Sequence, residues 1–378
     1  MNRRRCLMPG CNRTIAALAL IGGMFVVGAA GAGAASAVVA ERCAQAATAL
    51  RDSLDAEQTR RAVAVFDEDL RRKWYYVTGS RTRKNGLTLG DMTDAQRVLA
   101  HRLLRCALSD QGYQKVAGII RRDDLVAANI GNTIFKVEGP LEIGKEWYWF
   151  ALFGDPDGPA PWGWQVEGHH LGLNITVFNG EVSVTPAFMG VDPAEVQVGP
   201  LAGWRMLGGE QDRAYALMDS LNAQQREQAV LGAELPRGIF TTPGKGDALT
   251  PGEGLAAAQM TGPQRQLLWL LLDTYVRNLD PAIADRIVGD ILDDGWEQTY
   301  FAWFGSTERG GVIYYRIHGP SILIEFINAS NLRSKKLEPH PNHIHSIMRI
   351  PGGDFGADLL RLHYLQSPDH AALSGVDF

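Results

Sequence analysis

The sequence predicts an α+β protein built as a tandem duplication of one unit, in which helices come first and an antiparallel sheet follows. Three observations point there. Short motifs recur in the same order in the two halves, the first ones 167–168 residues apart. Capping-box spacings precede apolar helical runs. An Asn-Gly turn joins two strands of alternating pattern. With 378 residues, 46% hydrophobic and 21% charged, the chain has the composition of a globular protein and not of a disordered or fibrous one.

The first element is a targeting segment. Arg3, Arg4, Arg5 and Arg13 form a basic region without acids, an apolar run follows from Ile15 to Ala35, and Ala35-Ser36-Ala37 supplies a small-x-small cleavage pattern. Residues 1–37 therefore read as a signal peptide, with a mature start near Val38. The arginine run before Cys6, Leu7 and Met8 also fits a twin-arginine signal, and the Gly/Ala-rich apolar run suits that route. Export to the periplasm or the extracellular space is expected. No later stretch reaches 18 unbroken apolar residues, so no membrane contact is expected after cleavage. Loss of residues 1–37 removes four arginines and no acids, which leaves 33 basic and 42 acidic side chains and a net charge of −9. That balance, without basic runs, argues against nucleic acid as a partner. Cys43 and Cys106 are the two cysteines left, and an oxidising compartment would pair them.

The first unit, residues 38–200, opens on helices. Leu50, Asp52, Ser53, Leu54, Ala56 and Gln58 recur as Leu217, Asp219, Ser220, Leu221, Ala223 and Gln225 in the second unit, residues 201–378. Met92, Thr93, Gln96 and Arg97 recur as Met260, Thr261, Gln264 and Arg265. Asp55 with Gln58, Asn222 with Gln225, Thr93 with Gln96 and Thr261 with Gln264 all have the spacing of helix starts. The β-rich parts follow. Trp149, Ala151, Phe153 and Gly154 match Tyr300, Ala302, Phe304 and Gly305, and Trp164, Val166 and Gly168 match Tyr315, Ile317 and Gly319. In the first unit Asn179-Gly180 closes a hairpin that pairs Val177 with Val182, Ile175 with Val184 and Asn174 with Thr185. The Gly/Pro-rich stretch from Gly232 to Gly254 reads as a long surface loop.

The second unit keeps this frame and changes its chemistry. Transferring the hairpin pairing sets Glu325 at the position of Asn174 and opposite His345, with His343 two residues away on the same face. Two imidazoles and a carboxylate on adjacent strands have the composition of a 2-His-1-carboxylate metal site, or of part of a zinc site. Glu325 sits in an otherwise apolar run, where a carboxylate must be paired, hydrogen-bonded or metal-bound. The structural alternative is a core glutamate held by Arg316 or Arg349. In the first unit His170 shares the parity of Asn174 and would complete the coordination sphere, or His169 would if the alternation breaks at Gly168. Arg349 and Asp354 flank the turn Pro351-Gly352-Gly353 and are candidates for catalytic contact with substrate or for orienting a ligand imidazole. His318, where a strand should bend, reads as structural. No nucleophile elbow, phosphate loop, dinucleotide fingerprint or His-Glu-x-x-His pattern is present.

The segments Trp162–Leu171, Tyr314–Pro320 with Ile324-Glu325-Phe326, and Asn342–Ser346 with Arg349, Pro351, Asp354 and the closing His363-Tyr364 resemble a known family. It is the domain-of-unknown-function family numbered three thousand five hundred. The likeness covers nearly all of the mature chain, and its His-containing segments are the most specific part. Similar proteins are typically exported, and the resemblance implies no activity.

The expected function is thus an exported His/Glu metalloprotein holding one divalent transition metal. Zinc with a metal-bound water, and so a hydrolase acting on a small-molecule or polymer substrate, comes first. Iron or copper oxidation, and a non-catalytic binding protein using the tryptophan-rich faces, are the alternatives.

Overall fold

The computed structural model describes residues 29–77, 86–129, 143–246, 248–250, 252–332 and 336–366. The basic and most of the apolar part of the predicted signal lies outside them. The cleavage pattern Ala35-Ser36-Ala37 falls within the first helix, where Ser36 donates a 2.7 Å hydrogen bond to Glu181.

The helical part of the first half holds α1 (Ala29–Asp52), α2 (Ala56–Ala62), β1 (Val63–Ala64), α3 (Glu68–Arg72), β2 (Leu87–Thr88), α4 (Asp94–Ala107) and α5 (Asp110–Asn129). Five strands follow: β3 (Tyr148–Phe153), β4 (Trp162–Gly168), β5 (Leu171–Phe178), β6 (Glu181–Ser183) and β7 (Ala187–Val191). The second half begins with α6 (Gly208–Ser220), α7 (Ala223–Ala229), β8 (Val230–Gly232), β9 (Leu255–Ala256), α8 (Gly262–Val276) and α9 (Pro281–Asp293). It continues through β10 (Tyr300–Gly305), β11 (Ile313–His318), β12 (Leu323–Ser330) and β13 (His340–Arg349) to α10 (Ala357–Gln366).

The class is mixed α and β. The ten helices accompany one 13-stranded, mostly antiparallel sheet among the described residues, in the order β1-β3-β4-β5-β7-β13-β12-β11-β10-β8. The β7–β13 pairing makes the two halves one sheet.

Local chemistry explains the helix starts. Asp55, Thr93, Asn222 and Thr261 each accept from the backbone N–H three residues on, while Gln58, Gln96, Gln225 and Gln264 return the bond. Each capping box satisfies two amides that the first turn leaves without partners. The glutamines also pair across helices, Gln58 with Gln96 and Gln225 with Gln264. Cys43 of α1 and Cys106 of α4 form a disulfide, as their number and setting suggested.

The sheet has two differently covered faces. Leu171, Leu173, Ile175, Ile317, Ile324, Phe326 and Ile344 point into the main core with the helices. Side chains of the other parity, Phe188, Tyr314, Ile327, Ala329 and Ile347, pack with Trp74 and Ile239, which come from non-helical segments. Polar groups are buried on this second face too, Gln165, Asn174, Arg316 and Glu325 among them.

The Asn179-Gly180 turn pairs Val177 with Val182 as expected. The expected Asn174–Thr185 pair does not form: β6 ends at Ser183, and Leu173 already pairs with Ala187 of β7. Pro186 has no N–H to give to a ladder, and the strand breaks and re-registers there.

Candidate metal centre

Three histidines meet on the second face where the halves join. His343 and His345 are two residues apart on β13 and project from the same side. His170 stands in the two-residue turn between β4 and β5 with a φ of 64°, a left-handed conformation. The sheet fixes their approach. Gly190 of β7 pairs with His345, and its N–H donates to the His170 carbonyl at 2.8 Å. A Cβ on Gly190 would lie 3.0 Å from the His170 ring and 3.1 Å from the His345 ring, so the bare glycine leaves the room that lets the two imidazoles close in. The His170 N–H is in turn held by the Tyr76 carbonyl at 3.0 Å.

The ring nitrogens converge. His170 Nε2 lies 2.7 Å from His343 Nε2, which lies 3.0 Å from His345 Nε2, and ligand atoms of all three fall within 4.8 Å of one another. His170 is buried, with 3% exposure, and the other two are half-buried. This group could hold a metal ion.

Surrounding groups set its electrostatics. Burial pushes the His170 imidazolium well below the ordinary histidine range, and charge on His169, His343, His345 and Arg122 would push it further. Burial also lowers His343, against the pull of Asp192, whose Oδ2 is 3.7 Å from His343 Nδ1. Neutral imidazoles offer the lone pairs that a metal needs.

His169 is not in the group. Its Nδ1 is 2.6 Å from Asp123 Oδ1, and its ring stacks on His170 with centroids 3.8 Å apart. Tyr76 packs edge-on against His345 at 5.3 Å.

The expected pairing of Glu325 with His345 is corrected. Glu325 lies opposite Ile347, and His345 lies opposite Ile327. The transferred register holds at Ser330–His340 and shifts by two residues beyond Asn328. The two-residue Asn-Gly turn of the first half has no counterpart here: residues 331–339 separate the strands. An even shift keeps every side chain on its face and slides it along the strand. Glu325 therefore shares the face of His343 and His345 without joining them.

The Glu325 carboxylate has other partners. Fully buried, it accepts from the Phe240 N–H at 2.7 Å, the Thr241 N–H at 2.9 Å, the Tyr314 hydroxyl at 2.7 Å and the Thr241 hydroxyl. The structural alternative named Arg316 or Arg349 as its holder, and neither is among these partners. Arg349 instead donates from Nη2 and Nε to the Thr241 carbonyl, at 2.7 and 3.2 Å, and pairs with Asp354. Glu325 thus holds Phe240 and Thr241 of the loop after β8, and Arg349 holds Thr241 as well. His318, at the end of β11, is buried with no hydrogen bond to its Nδ1, and its pKa is pushed down to about 4, mainly by burial and then by Arg316.

That loop forms one wall of a cleft of about 750 Å³, with Ile239, Phe240 and Thr242 on one side and His343, His345 and Tyr76 on another. Sequence reasoning read Gly232 to Gly254 as a surface loop without a role, although Ile239 and Thr241 are buried, and it passed over Tyr76, Asp123 and Asp192. The loop's length was the usable signal, since long segments without secondary structure in a compact protein are commonly functional.

The sequence model of a family described as "Protein of unknown function (DUF3500)" matches residues 36–357. No curated protein and no solved structure matches the chain.

Proposed function

The chain belongs to the DUF3500 family, whose description carries no activity, and from the site itself we propose an exported metal-dependent hydrolase holding one divalent transition ion, zinc in preference, on His170, His343 and His345. The convergence of three buried or half-buried Nε2 atoms beside a cleft carries this reading. Ligand distances of about 2.0–2.1 Å around a tetrahedral ion would set imidazole nitrogens about 3.3 Å apart, so the two contacts of His343 Nε2, at 2.7 and 3.0 Å, would each open by about 0.3–0.6 Å. Without a cation the group is poorly satisfied. His343 Nε2 faces two other ring nitrogens, and a neutral imidazole carries one N–H in all.

The donor set bears on which chemistry. Three neutral imidazoles leave an ion its full double charge, whereas the non-haem iron pattern uses a carboxylate in third place. Bound zinc supplies a water molecule with a pKa near neutrality. The residues of the chain do the positioning. Asp192 faces the far nitrogen of His343, and His169, tied to Asp123, backs the His170 ring. Arg349 and Asp354 act on the loop wall and not on substrate in this reading. The cleft volume suits a small molecule. Export is supported by the arginine-led apolar segment and by the Cys43–Cys106 disulfide.

Elemental analysis of protein purified without an affinity tag tests this. One zinc per chain, lost in His343→Ala with the fold retained by circular dichroism, is expected. Copper or iron at the same stoichiometry would replace hydrolysis by oxidation. No metal at all would leave a binding protein.

We also propose that residues 38–200 and 201–378 are diverged copies of one unit. The matched capping boxes support it, as do the two glutamine pairs. Gln96 donates to the Ser53 carbonyl and Gln264 to the Ser220 carbonyl, both at 2.8 Å. The strand order also runs through matching elements from either edge to the β7–β13 junction.

A further inference from the structure

We infer that the cleft beside the three histidines takes a small anion with an apolar body, and that Arg237 and Lys245 recognise its charge. This rests on reading that cleft as the working face of the metal centre. Ile239, Phe240 and Leu332 give the cleft apolar walls, and its described lining includes no aspartate or glutamate. Apart from the imidazoles, its charged side chains are two cations, Arg237 and Lys245, in a chain whose formal charge is −5. Both are exposed, and neither has a carboxylate partner among the described residues. Three other surface arginines are held by carboxylates instead: Arg205 by Asp212, Arg277 by Asp273 and Asp285, Arg309 by Asp219. Two cations lining an apolar cleft, with no carboxylate partner among the described residues, produce a local positive potential that attracts and orients an anion.

The loop anchoring strengthens the case. Arg237 and Lys245 lie on either side of Phe240 and Thr241, the residues gripped by Glu325 and Arg349. The segment bearing both charges is therefore pinned at its middle by buried hydrogen bonds, which lowers the ordering cost of binding.

The test uses the full zinc-loaded chain and three probes: 4-phenylbutyrate, phenyl phosphate and the neutral 4-phenylbutanamide. Calorimetry should show one or both anions binding at least tenfold tighter than the amide. The double variant Arg237→Gln/Lys245→Gln should lose about tenfold in anion affinity, the effect of one charge-assisted hydrogen bond. It should keep its amide affinity and its metal. The charge-retaining Arg237→Lys/Lys245→Arg protein should recover most of the anion preference. Metal is counted in the same samples. Protein without metal that still prefers anions through these two side chains would sink the metal reading and support this one. A metal-bearing double variant with undiminished anion affinity overturns the proposal. So does a wild-type chain that binds none of the probes or favours the amide.

Discussion

Replacing Glu325 by Gln separates a metal ligand from a loop anchor. The carboxylate accepts four hydrogen bonds, two at each oxygen: Thr241 N–H and hydroxyl at Oε1, Phe240 N–H and Tyr314 hydroxyl at Oε2. A carboxamide keeps one oxygen and turns the other into a donor, which faces two donors in a site with 0% exposure. Hydrogen bonds to a charged group contribute about 1.5–3 kcal/mol each, and rotation of the Thr241 or Tyr314 hydroxyl recovers one of the two lost. The expected destabilisation is about 2–4 kcal/mol. Urea unfolding of wild type and variant, compared through midpoint and slope, measures it. Metal per chain is measured alongside and should not change, because Glu325 lies a two-residue step along β12 from the residue opposite His345. Loss of metal with unaltered unfolding would refute this argument and return Glu325 to the coordination sphere. Unaltered unfolding and unaltered metal content would show that the loop does not depend on it.

Two further predictions follow from the same geometry. Gly190→Ala inserts a methyl group 2.7 Å from the Ile344 carbonyl and about as close to the rings of His170 and His345. Metal affinity, measured by chelator competition, should fall on the order of 10–100-fold, as for other losses of ligand positioning. A variant with wild-type affinity would show that the glycine is not needed for convergence. His318 predicts an acid-sensitive term in stability. Its folded pKa of about 4 lies below the unfolded value of about 6.5, so the unfolded chain binds the extra proton between these limits. Its contribution is complete above about pH 6.5 and is lost as the pH falls to about 4. His318→Gln should flatten the unfolding free energy against pH by up to one proton in that window, and an unchanged slope would count against it.

Much of the local structure was legible in the chain. Capping boxes involve residues three apart, so Thr93 with Gln96 and Thr261 with Gln264 announce themselves. A two-residue turn determines its own strand pairing, and Val177 meets Val182 as Asn179-Gly180 requires. Parity survives too. His343, His345 and Glu325 share a face because side-chain alternation has a period of two and the register shift was even, whereas His170 reaches it from the turn between β4 and β5.

What the sequence by itself determined, then, was short-range: helix starts, one hairpin, the cysteine pairing and the polar face on which histidines would stand. Only the tertiary structure decided which groups on that face touch. The β7–β13 pairing carried His170 to His343 across 173 residues, and the bare Cα of Gly190 let the rings meet. The loop after β8 reached Glu325 across 85 residues and occupied it with hydrogen bonds. Such choices depend on how far a strand slides and on which distant segment offers a buried carboxylate its donors. Those are sums over many packed contacts, and no spacing along the chain encodes them.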